Sequence, residues 1–240
     1  MLRPRLAPLW LAVTSLALVL PPAVHAQRSP VEAEHGLVTS AHELASLAGL
    51  EILRRGGNAV DAAVATGLAL TVVYPFAGNI GGGGFIVYRP ASGQPVAYDF
   101  REKAPAAASP EMWLKDGKYD SGRHHFSHRA VGVPGTVAGL HLAWKEHGTR
   151  PWKELLQPAI RLAREGFVVD TALAGSISRA RGSVTRFNRS TPFFPGGSPL
   201  AAGDTLRQPE LARTLTAIAE QGPAAFYRGW IADSLVAEMQ

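Results

Sequence analysis

Cysteine is absent from all 240 residues. That excludes a disulfide framework, thiol catalysis and attachment of a lipid through a lipobox cysteine, so the fold must rest on its core. An excess of one charge is also missing. Setting aside Arg3 and Arg5, which lie in the leader discussed below, 22 basic side chains face 19 acidic ones. That is too even for a polyanion binder, and no nucleic-acid partner is expected. Acid is locally absent between Asp170 and Asp204, where Arg179, Arg181, Arg186 and Arg189 stand. The Ser, Pro and Gly around them read as a solvated loop.

No apolar run reaches the ~20 residues of a membrane span. The longest candidate, Leu9 to Leu20, follows the basic Met1-Leu-Arg-Pro-Arg5 and precedes Val24-His25-Ala26, with small residues at positions −3 and −1. This is the pattern of a secretory signal peptide cleaved after Ala26. The expectation is residues 1–26 as signal peptide, residues 27–240 as a single partial domain, and a periplasmic or secreted location with no membrane partner.

What is present is hydrophobic content of 46%, sufficient for a core. Ser40 and Glu43 have capping-box spacing before a helical apolar period that ends at Gly56-Gly57. Asn58 is placed to cap a second helix from Ala59 to Val73, apolar nearly all round and therefore buried, with Asp61 in its first turn. Phe85 to Arg89 and Pro95 to Phe100 read as a hairpin around Pro90-Ala-Ser-Gly-Gln94, with Arg101 just past the second strand. Tyr119 to Gly135 reads as loop. Helices are expected at Thr136 to His147, Trp152 to Glu165, Glu210 to Glu220 and Trp230 to Gln240. The last has no cap signal at its end, as in an incomplete chain.

Asn79-Ile-Gly-Gly-Gly-Gly-Phe85 invites a phosphate-loop reading. A phosphate loop follows a strand and opens a helix, whereas this run follows a helix and opens a strand. Its glycines instead permit close approach of another backbone. His42-Glu43-Leu-Ala-Ser46 lacks the second histidine of a zincin helix, His124 and His128 read as part of a polar loop, and Gly196-Gly-Ser-Pro-Leu200 lacks the last glycine of a nucleophile elbow. Neither metal nor cofactor is expected.

Five motifs in one order carry a resemblance. Gly56-Gly-Asn-Ala-Val-Asp-Ala-Ala-Val64, Asn79 to Phe85, Asp99-Phe-Arg-Glu-Lys-Ala-Pro105, Gly132-Val-Pro-Gly-Thr136 and Gly222-Pro-Ala-Ala-Phe-Tyr-Arg-Gly229 resemble the N-terminal part of a γ-glutamyltranspeptidase large subunit, from about Val38 onward. The resemblance implies an α/β (α+β) fold of the N-terminal-nucleophile-hydrolase αββα type, incomplete in this chain. It implies a precursor that cleaves itself and a small subunit that begins with the nucleophilic Thr. It places no catalytic residue here. It assigns Arg101 to the α-carboxylate of the γ-glutamyl group and, more weakly, Glu102 to orienting Arg101. Implied partners are glutathione, other γ-glutamyl compounds and the small subunit. The chain alone is expected to be inactive. A glutaryl or cephalosporin acylase of the same architecture and a truncated, non-catalytic binding remnant remain as alternatives.

Overall fold

The computed structural model describes residues 30–188 and 190–239, and the expected signal peptide and Arg189 lie outside them. From Gly36 onward the described residues form one compact body. In the body, α1 (Glu43–Arg54) packs on α2 (Ala59–Val73), and the amphipathic α5 (Trp152–Glu165) packs on both α2 and α7 (Pro209–Gln221). The centre is α2. Val64, Ala65, Leu68, Ala69 and Val72 are fully buried, because a helix with no polar face must be enclosed. Leu155 and Leu156 close on it from α5, and Leu215 and Ile218 of α7 continue the same core. Each such large side chain contributes roughly 1.5–3 kcal/mol by leaving water.

Asn58 caps α2 as expected. Its Oδ1 accepts from Val60 N and Asp61 N, while Asp61 Oδ2 accepts from Asn58 N at 2.9 Å. Asp61 does more than complement the helix dipole: it is fully buried and also accepts from Thr149 N, Thr149 Oγ1 and Arg150 N. It ties the start of α2 to the turn between α4 (Thr136–His147) and α5.

Two strands, β1 (Phe85–Tyr88) and β2 (Val96–Asp99), form the antiparallel hairpin, with Ile86 opposite Tyr98 and Tyr88 opposite Val96. One face lies on α4, where the Tyr98 hydroxyl meets the Glu146 carboxylate and His147 Nε2, and the Tyr88 ring stacks on His147 at 4.6 Å. On the other face Phe85 and Val87 are 63% and 76% exposed. Among the described residues two smaller strand pairs complete the sheet content: β3 (Leu114–Lys115) with β4 (Lys118–Tyr119), and β5 (Phe167–Val168) with β6 (Thr205–Leu206). The class is the expected mixture of helix and sheet, and among the described residues no sheet closes into a barrel.

Three local expectations are corrected. Ser40 does not cap α1. His42 is extended (φ −144°, ψ 133°), so the helix cannot start before it, and its Nδ1 takes the Leu44 N–H instead. Tyr119 to Gly135 is not all loop: Asp120 caps a one-turn helix, α3 (Ser121–His125). The basic run is helical, since Arg179, Arg181 and Arg186 lie on α6 (Thr171–Phe187), capped by Asp170 and anchored by the buried Leu173 and Ile177. The chain ends in α8 (Pro223–Tyr227) and α9 (Trp230–Met239), and Gln240 lies outside the described residues. Among the described residues no helix is long and apolar enough to cross a membrane.

Candidate functional site

Arg101 leaves β2 after a single residue, Phe100, and that residue is gripped from every side. Phe100 N donates to Gly84 O at 3.0 Å. A Cβ on Gly139 would lie 2.0 Å from the Phe100 ring, and one on Gly135 would lie 1.9 Å from its carbonyl oxygen. The glycine run meets the same segment. A Cβ on Gly83 would come within 2.5 Å of Phe100 O and Glu102 N and 2.6 Å of Arg101 Cα. Only glycine allows three backbones to stack this closely.

Hydrogen bonds join the stack. Gly82 O accepts from Gly135 N and Thr136 N at 2.8 and 3.0 Å. These are among the N–H groups at a helix start that have no partner within the helix, and Gly135, at the N-cap of α4, has no side chain to offer them. The Tyr227 hydroxyl takes a further one from Ala138 at 3.2 Å and donates to Pro134 O at 2.9 Å. Burial pushes the Tyr227 phenol pKa up from its ordinary value, against the opposing effect of the Ala138 N–H. At the far end of α4, Asn58 Nδ2 donates to His147 O. All five motifs thus converge on one framework: α4, fixed at both ends, with the Arg101 segment against its N-terminal half.

The Asp99 carboxylate accepts from Arg101 N at 3.1 Å and turns the chain out of the strand. Beyond it, Lys103 and Val133 exchange both backbone hydrogen bonds, at 3.1 and 2.7 Å. Arg101 Nη2 donates to Glu102 Oε1 at 3.0 Å, with side-chain exposures of 62% and 36%. The structure thus brings together both residues that the sequence singled out. Glu102 is held below the usual carboxylate range, first by its own backbone N–H and then by the Arg101 guanidinium. A guanidinium offers five donors in a planar fork. With one edge steadied by Glu102, the remainder of the fork is open to solvent and can take a carboxylate in the two-point manner that lysine cannot.

A groove of about 620 Å³ begins nearby, lined by Gly81, Gly132, Val133, Phe226 and Tyr227 among others. Arg101 does not line it and stands on open surface. Reading the residues alone gave no role to Phe100, Gly135 or Tyr227. The Gly132-Val-Pro-Gly-Thr136 motif was the available signal, since two glycines beside a helix start mark a crowded backbone crossing. His124 Nδ1 lies 2.8 Å from the Tyr119 hydroxyl and His128 Nε2 4.0 Å from Glu238. Among the described residues no three His, Asp or Glu side chains gather as a metal site would require.

Comparison with known proteins agrees with this framework. A model described as gamma-glutamyltranspeptidase matches residues 45–240. The glutathione hydrolase proenzyme of Escherichia coli (strain K12) is 49% identical over 214 residues, which is 88% of this chain and 37% of that protein. The crystal structure of Helicobacter pylori gamma-glutamyltranspeptidase superposes with a TM-score of 0.85 at 42% identity, covering 88% of this chain and 61% of that one. A cephalosporin acylase from Bacillus halodurans superposes at 0.75 with 30% identity, covering 92% and 43%. The chain spans under half the length of the Escherichia coli relative. With the family match running through all five motifs, and with those motifs packed as one unit, the chain belongs to the gamma-glutamyltranspeptidase family.

Proposed function

We propose that this chain is the carboxylate-recognising portion of an exported γ-glutamyltransferase/glutathione hydrolase. The observation that carries the reading is the Arg101 fork, steadied by Glu102 and presented at the end of a strand by the glycine-lined framework. Two hydrogen bonds from guanidinium to the substrate α-carboxylate would fix the γ-glutamyl group in one orientation, and orientation is itself a large part of catalysis. Relatives named glutathione hydrolase proenzyme support glutathione as a donor and a precursor as the starting form.

Bond making belongs to an N-terminal Thr outside this chain. Its hydroxyl attacks the γ-carbonyl carbon while its α-amine accepts the proton. Collapse expels the leaving amine, which takes up that proton, and leaves an acyl ester on the Thr oxygen. Water or an acceptor amine then attacks the ester and releases glutamate or a new γ-glutamyl amide. The exposed Phe85 and Val87 face of the hairpin suits the packing of further strands from the small subunit.

The likeness to a cephalosporin acylase supports a second reading, an acylase for glutaryl-type amides, which also need an anion anchor. The two readings separate on one assay of the protein expressed from its complete reading frame. A γ-glutamyl anilide should turn over far faster than the glutaryl anilide, which has no α-amino group. The reverse preference selects the acylase, and a frame that stops after Gln240 selects the non-catalytic remnant. The 240-residue chain alone should turn over neither substrate.

A further inference from the structure

Arg101 is not the only cation on the hairpin exit. Lys103 follows two residues later, exposed, with its backbone clamped to Val133 by both bonds of an antiparallel bridge. Residues paired in this way put their side chains on the same face, and Val133 faces the 620 Å³ groove. Arg101 and Lys103 flank Glu102 in the chain. Glu102, between them, packs its Cβ and Cγ 3.1 and 3.0 Å from the Cβ position of Gly132. The Cα atoms of Arg101 and Lys103, two residues apart, lie no more than roughly 7 Å from each other.

Their charges differ in availability. Arg101 shares its charge with Glu102. Among the described residues no carboxylate lies within 4.0 Å of the Lys103 ammonium. A γ-glutamyl amino acid carries two carboxylates separated by seven bonds, on the order of 8 Å when extended. Two flexible cationic arms rooted within roughly 7 Å of each other can engage both ends of such a molecule.

We infer that Lys103 is a specificity-determining residue, whose ammonium engages a carboxylate on the leaving-group side of the scissile amide and so favours γ-glutamyl donors with an acidic leaving group. This rests on the Arg101 reading and adds a second anchor to it. An exposed ammonium–carboxylate pair is worth up to about fivefold in affinity. Being made equally in the ground and transition states, it should act on KM and leave kcat unchanged.

The test uses protein from the complete reading frame and two donors that differ only in charge: γ-glutamyl-alanine and its C-terminal amide. Lys103→Met should raise KM for the acid about fivefold, leave KM for the amide and both kcat values unchanged, and leave the unfolding temperature unchanged. Lys103→Arg should retain the preference, and raising the salt should weaken it in the wild type. Equal effects on both donors, or no effect on either, overturns the inference. Arg101→Gln serves as the reference. If it impairs both donors while Lys103→Met impairs neither, only the Lys103 inference falls. If Arg101→Gln leaves both donors unaffected, the underlying reading falls.

Discussion

Gly83→Ala tests whether the glycine run positions Arg101. The added methyl would sit 2.5 Å from Glu102 N and Phe100 O and 2.6 Å from Arg101 Cα. Carbon contacts settle at about 3.5–4.0 Å, so the two backbones must part by roughly 1 Å. No rotamer relieves this, because all three atoms are main chain. The segment cannot simply slide, because Phe100 is bonded to Gly84 O and its ring fills the space above Gly139. Overpacking of this kind costs about 1–3 kcal/mol, and the backbone clash points to the upper end. A loss of about 3 kcal/mol lowers the unfolding temperature of a domain this size by roughly 6–12 °C. Moving Arg101 by roughly 1 Å should lower kcat/KM by about 10²-fold. Thermal unfolding followed by circular dichroism reads the first effect, and anilide hydrolysis by the complete protein reads the second. Gly81→Ala is the control, because its Cβ would meet only Asn79 Oδ1, at 3.7 Å. If Gly83→Ala matches Gly81→Ala in both assays, the positioning argument is wrong.

Two further outcomes concern the framework. Asp61→Ala leaves the part-buried N–H groups of Asn58, Thr149 and Arg150 without their acceptor and should cost roughly 2–4 kcal/mol by denaturant unfolding, whereas a loss below about 1 kcal/mol would mean that water replaces the carboxylate. Tyr98 has its phenol pKa pushed up from 10.0 to about 12, first by burial and then by its hydrogen bond to the Glu146 carboxylate. Because the folded state holds this proton more tightly, the stabilisation is complete below pH 10 and is lost as pH rises through about 12. Tyr98→Phe should cost roughly 1 kcal/mol at neutral pH and flatten the decline of the unfolding midpoint between pH 10 and 12. An identical alkaline profile in the two proteins would contradict this.

Much of the framework was legible where local chemistry and burial agree. Asn58 caps α2 because an amide at that position satisfies two orphan N–H groups, and Gly166 ends α5 because its φ of +88° suits glycine. The helix α6 was obscured by Ser, Gly and Arg, although Asp170 as cap and Leu173, Ile177, Ala180 and Val184 at helical spacing were there to be read. At α1, Ser40 had the right spacing for a cap, but its hydroxyl bonds His42 O and Ser46 Oγ instead, a competition that spacing does not reveal. The position of Arg101 at a strand end followed from the hairpin pattern, and the role proposed for it comes from the family motif. The crossing of Gly83, Phe100 and Gly135 was not legible, because it joins segments far apart in the chain whose only local sign is the lack of side chains.

The central claim, that Arg101 holds the donor's α-carboxylate, is tested most directly by removing each partner in turn. Wild type and Arg101→Gln, both from the complete reading frame, would be assayed with the γ-glutamyl anilide and with the 4-aminobutyryl anilide, which lacks only that carboxylate. Losing a two-point charged contact should lower kcat/KM for the γ-glutamyl donor by about 10²-fold and leave the 4-aminobutyryl donor within about twofold. Equal losses on the two donors, or none on the first, would contradict the account.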